Sequence, residues 1–452
     1  MFKMKTITLS LLALLLVMSF ASCASDTTSD LPLPSKDMKA YLQVKVTVEG
    51  SGDTRASRAT TGRPQGGEDG DGRETGLDNE NEVNSLTVLL YQSDKDDLSE
   101  ADATIDYVYT FTNLNKVTTS SGRDATYTTV PREIDASIVG KNYHVIVIAN
   151  ADDMTSRCKG KISEVRDLQM SKVCTRDADI TKFSNFIMSS KKDATIDFTT
   201  EGSETDPYQV TVDIERLAAR IDIIPNATFD GTNQGYYYNV MDGTNVVGGF
   251  KLESVTPNKV MTKGEYLIKR VSSDAAVSAV TYFGEEKMDA TTKASTNYVV
   301  CPWTKDRAGL TLAEAEGPVS LYNVKETTST STAVGEASYI LDYVMENTTT
   351  DNAEDYSTGL IFKGKYYESS EWDATKKQPK AGFAGAEKKY TYTLRHSDPS
   401  GSGTTADPMH FGVVRNNIYQ VKVEGVEGKS KGLKLTIHVV PWAHYDHGEV
   451  IY

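Results

Sequence analysis

Cysteine is scarce in this chain: four residues in 452. A small disulfide-stapled scaffold needs a denser framework, so the fold must rest on a buried apolar core. No stretch after residue 25 sustains a 3.6-residue apolar period, which excludes a helical bundle. Signatures of catalysis are missing as well. There is no G-x-S-x-G, no H-E-x-x-H and no P-loop, so nothing marks an enzyme or a cofactor site. Positive charge is in deficit, 48 Lys and Arg against 63 Asp and Glu, a net charge of −15. Such a surface argues against nucleic acid and against anionic membrane as partners.

What the chain does have is strand-forming residues. Tyrosine dominates the aromatics, with 24 against 12 Phe and 3 Trp, and Thr and Val are frequent. An all-β fold follows, and the length suggests two or three domains. Strands are expected at 41–48, 85–91, 105–111, 143–150, 208–212 and 217–223, separated by turn residues at sandwich-like spacing. A Gly-, Asn- and Tyr-rich stretch, 229–249, reads as a boundary. A second set of strands is expected at 250–255, 296–301, 339–345, 359–365, 389–394, 417–423 and 433–440.

The N-terminus carries its own message. Lys3 and Lys5 precede an apolar run from Leu9 to Phe20, which has the form of a secretory signal and is short for a bilayer span. Ala21-Ser22-Cys23 then resembles the lipobox of bacterial lipoproteins, in which the cysteine becomes the lipidated first residue; a plain secretory signal with an incidental cysteine is the alternative. Residues 24–38 read as a flexible tether. In the strand that follows, Leu42, Val44, Val46 and Val48 alternate with Gln43, Lys45 and Thr47, giving one apolar face. Residues 50–82 are rich in Gly, Ser, Thr and charge and cannot bury a core. Arg55, Arg58, Arg63 and Arg73 lie in this stretch, the kind of exposed loop that proteases cut.

Other chemistry is thin. Cys158 and Cys174 either pair or stand as two unpaired buried thiols, and Cys301 reads as a structural thiol. His438, His444, Asp446 and His447 gather near the C-terminus without the partners a metal site needs, so no metal is expected. Asp69-Gly70-Asp71-Gly72 departs from a calcium loop at Arg73.

Several segments, taken in order, resemble the fimbrillins, the shaft-type subunits of Bacteroidales (type V) pili. They are the lipobox, Thr54-Arg55-Ala56 after the first strand, Tyr143–Ala151, Arg216–Ile221, Phe250–Val255, Tyr343–Asn347, Val413–Val421 and Val439–Trp442. The resemblance implies two transthyretin-like β-sandwich domains in tandem. On this reading 1–22 is the signal peptide, 23–55 a propeptide with tether and first strand, 56–228 the N-terminal domain and 229–452 the C-terminal domain. It also implies an assembly route. A precursor lipidated at Cys23 reaches the outer membrane, and an arginine-specific protease cuts at Arg55-Ala56, or at Arg58. The strand of Leu42, Val44, Val46 and Val48 leaves, and a C-terminal segment of another subunit replaces it.

The candidate donor is 432–452: either the alternating face of Leu433, Leu435, Ile437 and Val439, or the tail with Val450 and Ile451. The expected function is a structural pilin supporting adhesion and biofilm. Its partners would be other pilin subunits, accessory and anchor fimbrial proteins and the protease. The alternatives are an accessory or tip adhesin, or an outer-membrane lipoprotein binding glycan through Tyr236-Tyr237-Tyr238 and Tyr366-Tyr367. A glycan binder should expose those rings; a pilin should bury them or hold them in loops.

Overall fold

A computed structural model describes residues 39–48, 77–92, 103–117, 125–166, 168–176, 183–190, 193–199, 202–227, 229–230, 235–261, 263–267, 270–274, 279–283, 319–320, 339–349, 357–395, 411–413, 415–428 and 432–441. Among them the fold is almost entirely β. No described helix is long and apolar enough to cross a membrane.

The strands in chain order begin with β1 (Ala40–Val48), β2 (Leu86–Tyr91), β3 (Thr104–Phe111), β4 (Leu114–Val117), β5 (Ala125–Thr129), β6 (Arg132–Ile134), β7 (Asn142–Ala149) and β8 (Gly160–Lys161). Then come β9 (Gln169–Met170), β10 (Thr175–Arg176), β11 (Phe183–Ser184), β12 (Met188–Ser190), β13 (Ala194–Asp197), β14 (Tyr208–Arg216), β15 (Ala218–Ile224) and β16 (Phe229–Asp230). The remainder used below are β17 (Gly235–Asp242), β18 (Asn245–Asn258), β19 (Gly264–Glu265), β20 (Arg270–Asp274), β21 (Ala279–Phe283), β22 (Val319–Ser320), β23 (Tyr339–Met345), β24 (Asn347–Thr349), β25 (Gly359–Glu368), β26 (Trp372–Asp373), β27 (Gln378–Pro379), β28 (Ala386–Thr393), β29 (Phe411–Val413), β30 (Asn417–Glu427) and β31 (Gly432–Pro441).

Two large sheets form. The first runs β4-β5-β1-β14-β12-β7-β2-β3-β8, with β6 beside β1 and β13 beside β7. The second runs β23-β15-β30-β17-β18-β25-β28, with β31 on the far side of β30. β2 is buried along its whole length because β3 and β7 flank it and its apolar residues fill both faces. β1 alternates throughout and β14 as far as Ile214, since only one face of each meets the core there, while Glu215 and Arg216 at the end of β14 are both buried. The first sheet packs Val44, Val88, Ile146, Ile214 and their neighbours into one apolar cluster. The second builds another from residues such as Ile221, Phe250, Phe362 and Tyr419.

The structure corrects two expectations. Leu217–Ile223 is read from sequence as closing the N-terminal unit, but β15 pairs parallel with β30 and antiparallel with β23, so it belongs to the second sheet. The chain passes from one sheet to the other at Leu217, upstream of the expected boundary at 229. Every residue of β15 is buried, so its pattern names no face and no partner sheet. Within the stretch 229–249, read from sequence as a boundary, β17 and β18 form a hairpin. Gly243 turns it at a φ of +61°, and Gly249 serves close packing, for a Cβ there would fall inside the Trp372 indole.

Candidate functional site

The seat of β1 is the feature that the sequence singles out, and the structure shows how it is built. β1 is an inner strand. On one side it runs parallel to β14, from Leu42 opposite Tyr208 to Val48 opposite Ile214. On the other it meets β5 antiparallel at Lys45–Val48 and β6 antiparallel at Ala40–Leu42. Ala40, Leu42, Val44, Val46 and Val48 are all fully buried.

Pro131 cannot donate to a ladder, and the chain leaves the sheet between β5 and β6. Thr129 covers the gap. Its hydroxyl accepts the Val44 amide at 3.0 Å, and its carbonyl accepts Gln43 Nε2 at 2.9 Å. On the outer face Gln209 Nε2 donates to Gln43 Oε1 at 3.2 Å, and Lys39 pairs with Glu133 at 3.0 Å. That last pair is exposed and worth little. The seat is therefore held by backbone pairing on both sides and by apolar burial beneath. Burying Leu42, Val44, Val46 and Val48 contributes roughly 1.5–3 kcal/mol apiece, on the order of 6–12 kcal/mol together.

A second site, at the junction of the two sheets, was not legible in the sequence. Glu80 ends a 3-10 turn (Asp78–Glu80) and is completely buried. Its carboxylate accepts the Leu77 amide at 2.6 Å, Arg220 Nη1 at 3.1 and 3.3 Å, and the Tyr343 hydroxyl. Its carbonyl accepts Arg216 Nε at 2.8 Å. Arg220 also forks onto Asp222, at 2.9 and 2.8 Å. Burial pulls the Arg220 guanidinium down, but Asp222 and Glu80 outweigh it and hold it well above its ordinary range.

Beside this group Arg415 bridges Glu215 at 2.8 Å and Glu346 at 3.2 Å. The residues come from the turn at Glu80, from β14, β15 and β23, and from the loop before β30, so the network ties both sheets together. Burial pushes the Glu346 carboxyl up to about 7, against the opposing pull of Arg415.

The remaining expectations place as follows. Leu433, Leu435 and Ile437 lie half-buried on β31, whose only ladder partner among the described residues is β30. Val439 is on the same strand opposite Tyr419, and its side chain lies outside the described residues. Cys23, Arg55, Ala56, Arg58, Val450 and Ile451 also lie outside the described residues. Cys158 and Cys174 are free thiols, pushed up by burial to about 11 and about 12. The tyrosines of the glycan reading are buried: Tyr236 and Tyr238 in the second core, and Tyr237 and Tyr367 against Trp372. Tyr366 is buried in the second core too.

Residues 40–234 match the family described as Major fimbrial subunit protein (FimA), a match that opens on the first residue of β1. This part of the chain is similar to the major fimbrial subunits of that family. No curated protein matches the chain. Similar solved structures include a cell adhesion protein from Parabacteroides distasonis, 15% identical, with 89% of this chain and 97% of that one covered and a TM-score of 0.44. A fimbrial assembly protein from the same organism is 12% identical, with coverage of 88% and 95% and a TM-score of 0.38. The tip fimbrial protein Mfa3 from Porphyromonas gingivalis is 12% identical, with coverage of 89% and 100% and a TM-score of 0.35. The likeness of residues 40–234 is thus to a structural subunit of a fimbria.

Two measurements test the junction. Arg220→Met leaves Glu80 and Asp222 buried without their shared cation, so denaturant unfolding should show a loss of about 3–5 kcal/mol. A loss below about 1 kcal/mol would remove the network from the list of structural supports. Glu346 gives a pH test. Its folded value, about 7, lies above the ordinary 4.5, so the folded chain holds a proton that the unfolded chain has released between those values. Its contribution to stability is complete below 4.5 and is lost as pH rises through 7. Unfolding midpoints of Glu346→Gln should fall less than those of the parent over that window; parallel curves would contradict the assignment.

Proposed function

We propose that this chain is a pilin precursor that polymerises by exchanging β1 for a strand of a neighbouring subunit. The observation that carries the reading is the seat itself. β1 is an inner strand whose every second side chain is fully buried, yet its link to the body runs through a segment holding Arg55, Arg58, Arg63 and Arg73. A cut at Arg55-Ala56, or after Arg58, turns a covalently held strand into one held only by packing. Its loss opens two unpaired backbone edges and an apolar groove. Another strand recovers that energy by β-augmentation. Head-to-tail contacts of this kind do not close, so they build a fibre.

β31 supports the donor role. Its alternating face, Leu433-Leu435-Ile437-Val439, repeats the spacing and size of Leu42-Val44-Val46-Val48. It is ladder-paired only to β30 among the described residues, and Leu433, Leu435 and Ile437 are half-buried, so it leaves its own sheet at lower cost than β1 leaves the first. The tail with Val450 and Ile451 is the other source of a donor. In this scheme the body consists of two tandem transthyretin-like sandwiches that meet at Leu217. The precursor is anchored in the outer membrane through Cys23, and the mature subunit stands in the fimbrium with accessory and anchor proteins. An accessory or tip adhesin would share the same seat. The glycan-binding reading loses its motive, since the tyrosine clusters that suggested it are buried.

N-terminal sequencing of protein sheared from the cell surface tests the scheme. A start at Ala56 or Ala59 in high-mass polymers is expected; a blocked Cys23 on a monomer would overturn it. Leu435→Asp then separates the two donors. Loss of polymer with cleavage intact assigns the donor to β31, and undiminished polymer assigns it to the tail.

A further inference from the structure

β6 has a ladder partner only in β1 among the described residues, so removal of β1 takes away the whole ladder that holds this wall of the groove. β5, by contrast, keeps β4. A wall without support would collapse into the vacated space, and a collapsed groove is a poor template for an incoming strand. The segment from Val130 to Ser137, however, is stitched to β3 by contacts that do not involve β1.

Arg132 is the centre of the stitching. Its guanidinium lies 5.5 Å from the Tyr109 ring centroid and 5.7 Å from that of Phe111, and its Nη1 donates to the Thr110 carbonyl. A guanidinium over two aromatic faces with a backbone carbonyl in its plane is a directional attachment rather than a loose surface charge. Three further bonds run across the same seam. The Val130 amide donates to the Asn113 carbonyl at 3.3 Å, the Asp135 amide to the Tyr109 hydroxyl at 3.2 Å, and the Tyr107 and Ser137 hydroxyls lie 2.7 Å apart. Tyr107 and Tyr109 are themselves parallel, with ring centroids 6.1 Å apart, so the two attachments share one aromatic ladder on β3.

We infer that Arg132 is a positioning residue for strand exchange: it fixes β6 to β3 while the groove is empty, so that the incoming strand meets a preformed wall. The inference rests on the exchange reading above. Arg132 stands opposite Leu42 in the β1–β6 ladder, but the bonds named above run to β3, so they remain when β1 leaves and weigh more on the vacant state than on the filled one. A residue needed only for general stability would act equally on both.

The test uses the full chain, cut between Val48 and Leu77, with β1 stripped in mild denaturant. The protein is then diluted into a fluorescent peptide of residues 39–49. In the parent the peptide should bind. In Arg132→Ala its association should slow by about 5- to 30-fold, the range that one to two cation–π contacts supply. Dissociation and the melting of the uncut precursor should be nearly unchanged, and Arg132→Lys, which keeps the cation but not the planar fork, should recover part of the rate. Equal association rates in parent and Arg132→Ala would overturn the inference and leave strand exchange standing. Failure of the parent itself to bind would overturn strand exchange, and the inference with it. Should Arg132→Ala not fold, Tyr109→Phe combined with Ser137→Ala removes the flanking bonds and is read in the same way.

Discussion

The structure depends most on the double-sided pairing of β1. A nine-residue strand closes the first sheet against β14 on one side and β5 and β6 on the other, and its five inward side chains are fully buried. Two properties that usually conflict meet in it. It belongs to the core, and it is the first of the described strands, followed in sequence by a long polar stretch. Backbone pairing is indifferent to sequence, so another chain can satisfy the same edges, and only the alternating apolar row has to be reproduced. In the exchange proposed above the first strand would serve as a placeholder, and folding and assembly would draw on one set of contacts.

The junction network is built from other residues, and the separation is informative. Glu80, Arg216, Arg220, Tyr343 and Arg415 lie outside β1, and none of their bonds described above reaches it. Vacating the groove breaks none of the bonds named here. Buried ion pairs seldom add much net stability over an apolar substitute, but they are intolerant of displaced partners. Their directional bonds therefore fix how the two sheets meet. The turn at Glu80 also pins the first described residues after the arginine-bearing segment, so a cut in that segment leaves the body attached to the new chain from this turn onward.

Strands that obey a single period were legible in the sequence. β1 and most of β14 alternate, β7 is strongly apolar, and these strands and β30 lie close to where the residue pattern puts them. Legibility failed where burial is two-sided or where contacts are distant. Tyr236-Tyr237-Tyr238 looked like an exposed cluster, yet successive residues of a strand face opposite ways, and here each face has its own core to fill. β15 was recognised as a strand and given to the wrong sheet, because uniform burial carries no sign of direction. The polar strand β5, Ala125–Thr129, is too weakly patterned to stand out, although it lines the groove. Glu80 lies 140 positions from Arg220 in sequence, and only the folded chain brings them together. The wall around β1 was thus hidden, while the strand that fills it was plain.

The parallel register of β1 and β14 also has a mechanical side. A strand tugged along its own axis, while hydrogen-bonded to neighbours on both flanks, loads every rung of both ladders at once. It resists as a lap joint does, in shear, and not as a zipper that opens one tooth at a time. A strand occupying the same seat in the same register would inherit that geometry. A fibre of such joints would then withstand the drag of flowing fluid far better than the modest strength of any one hydrogen bond suggests.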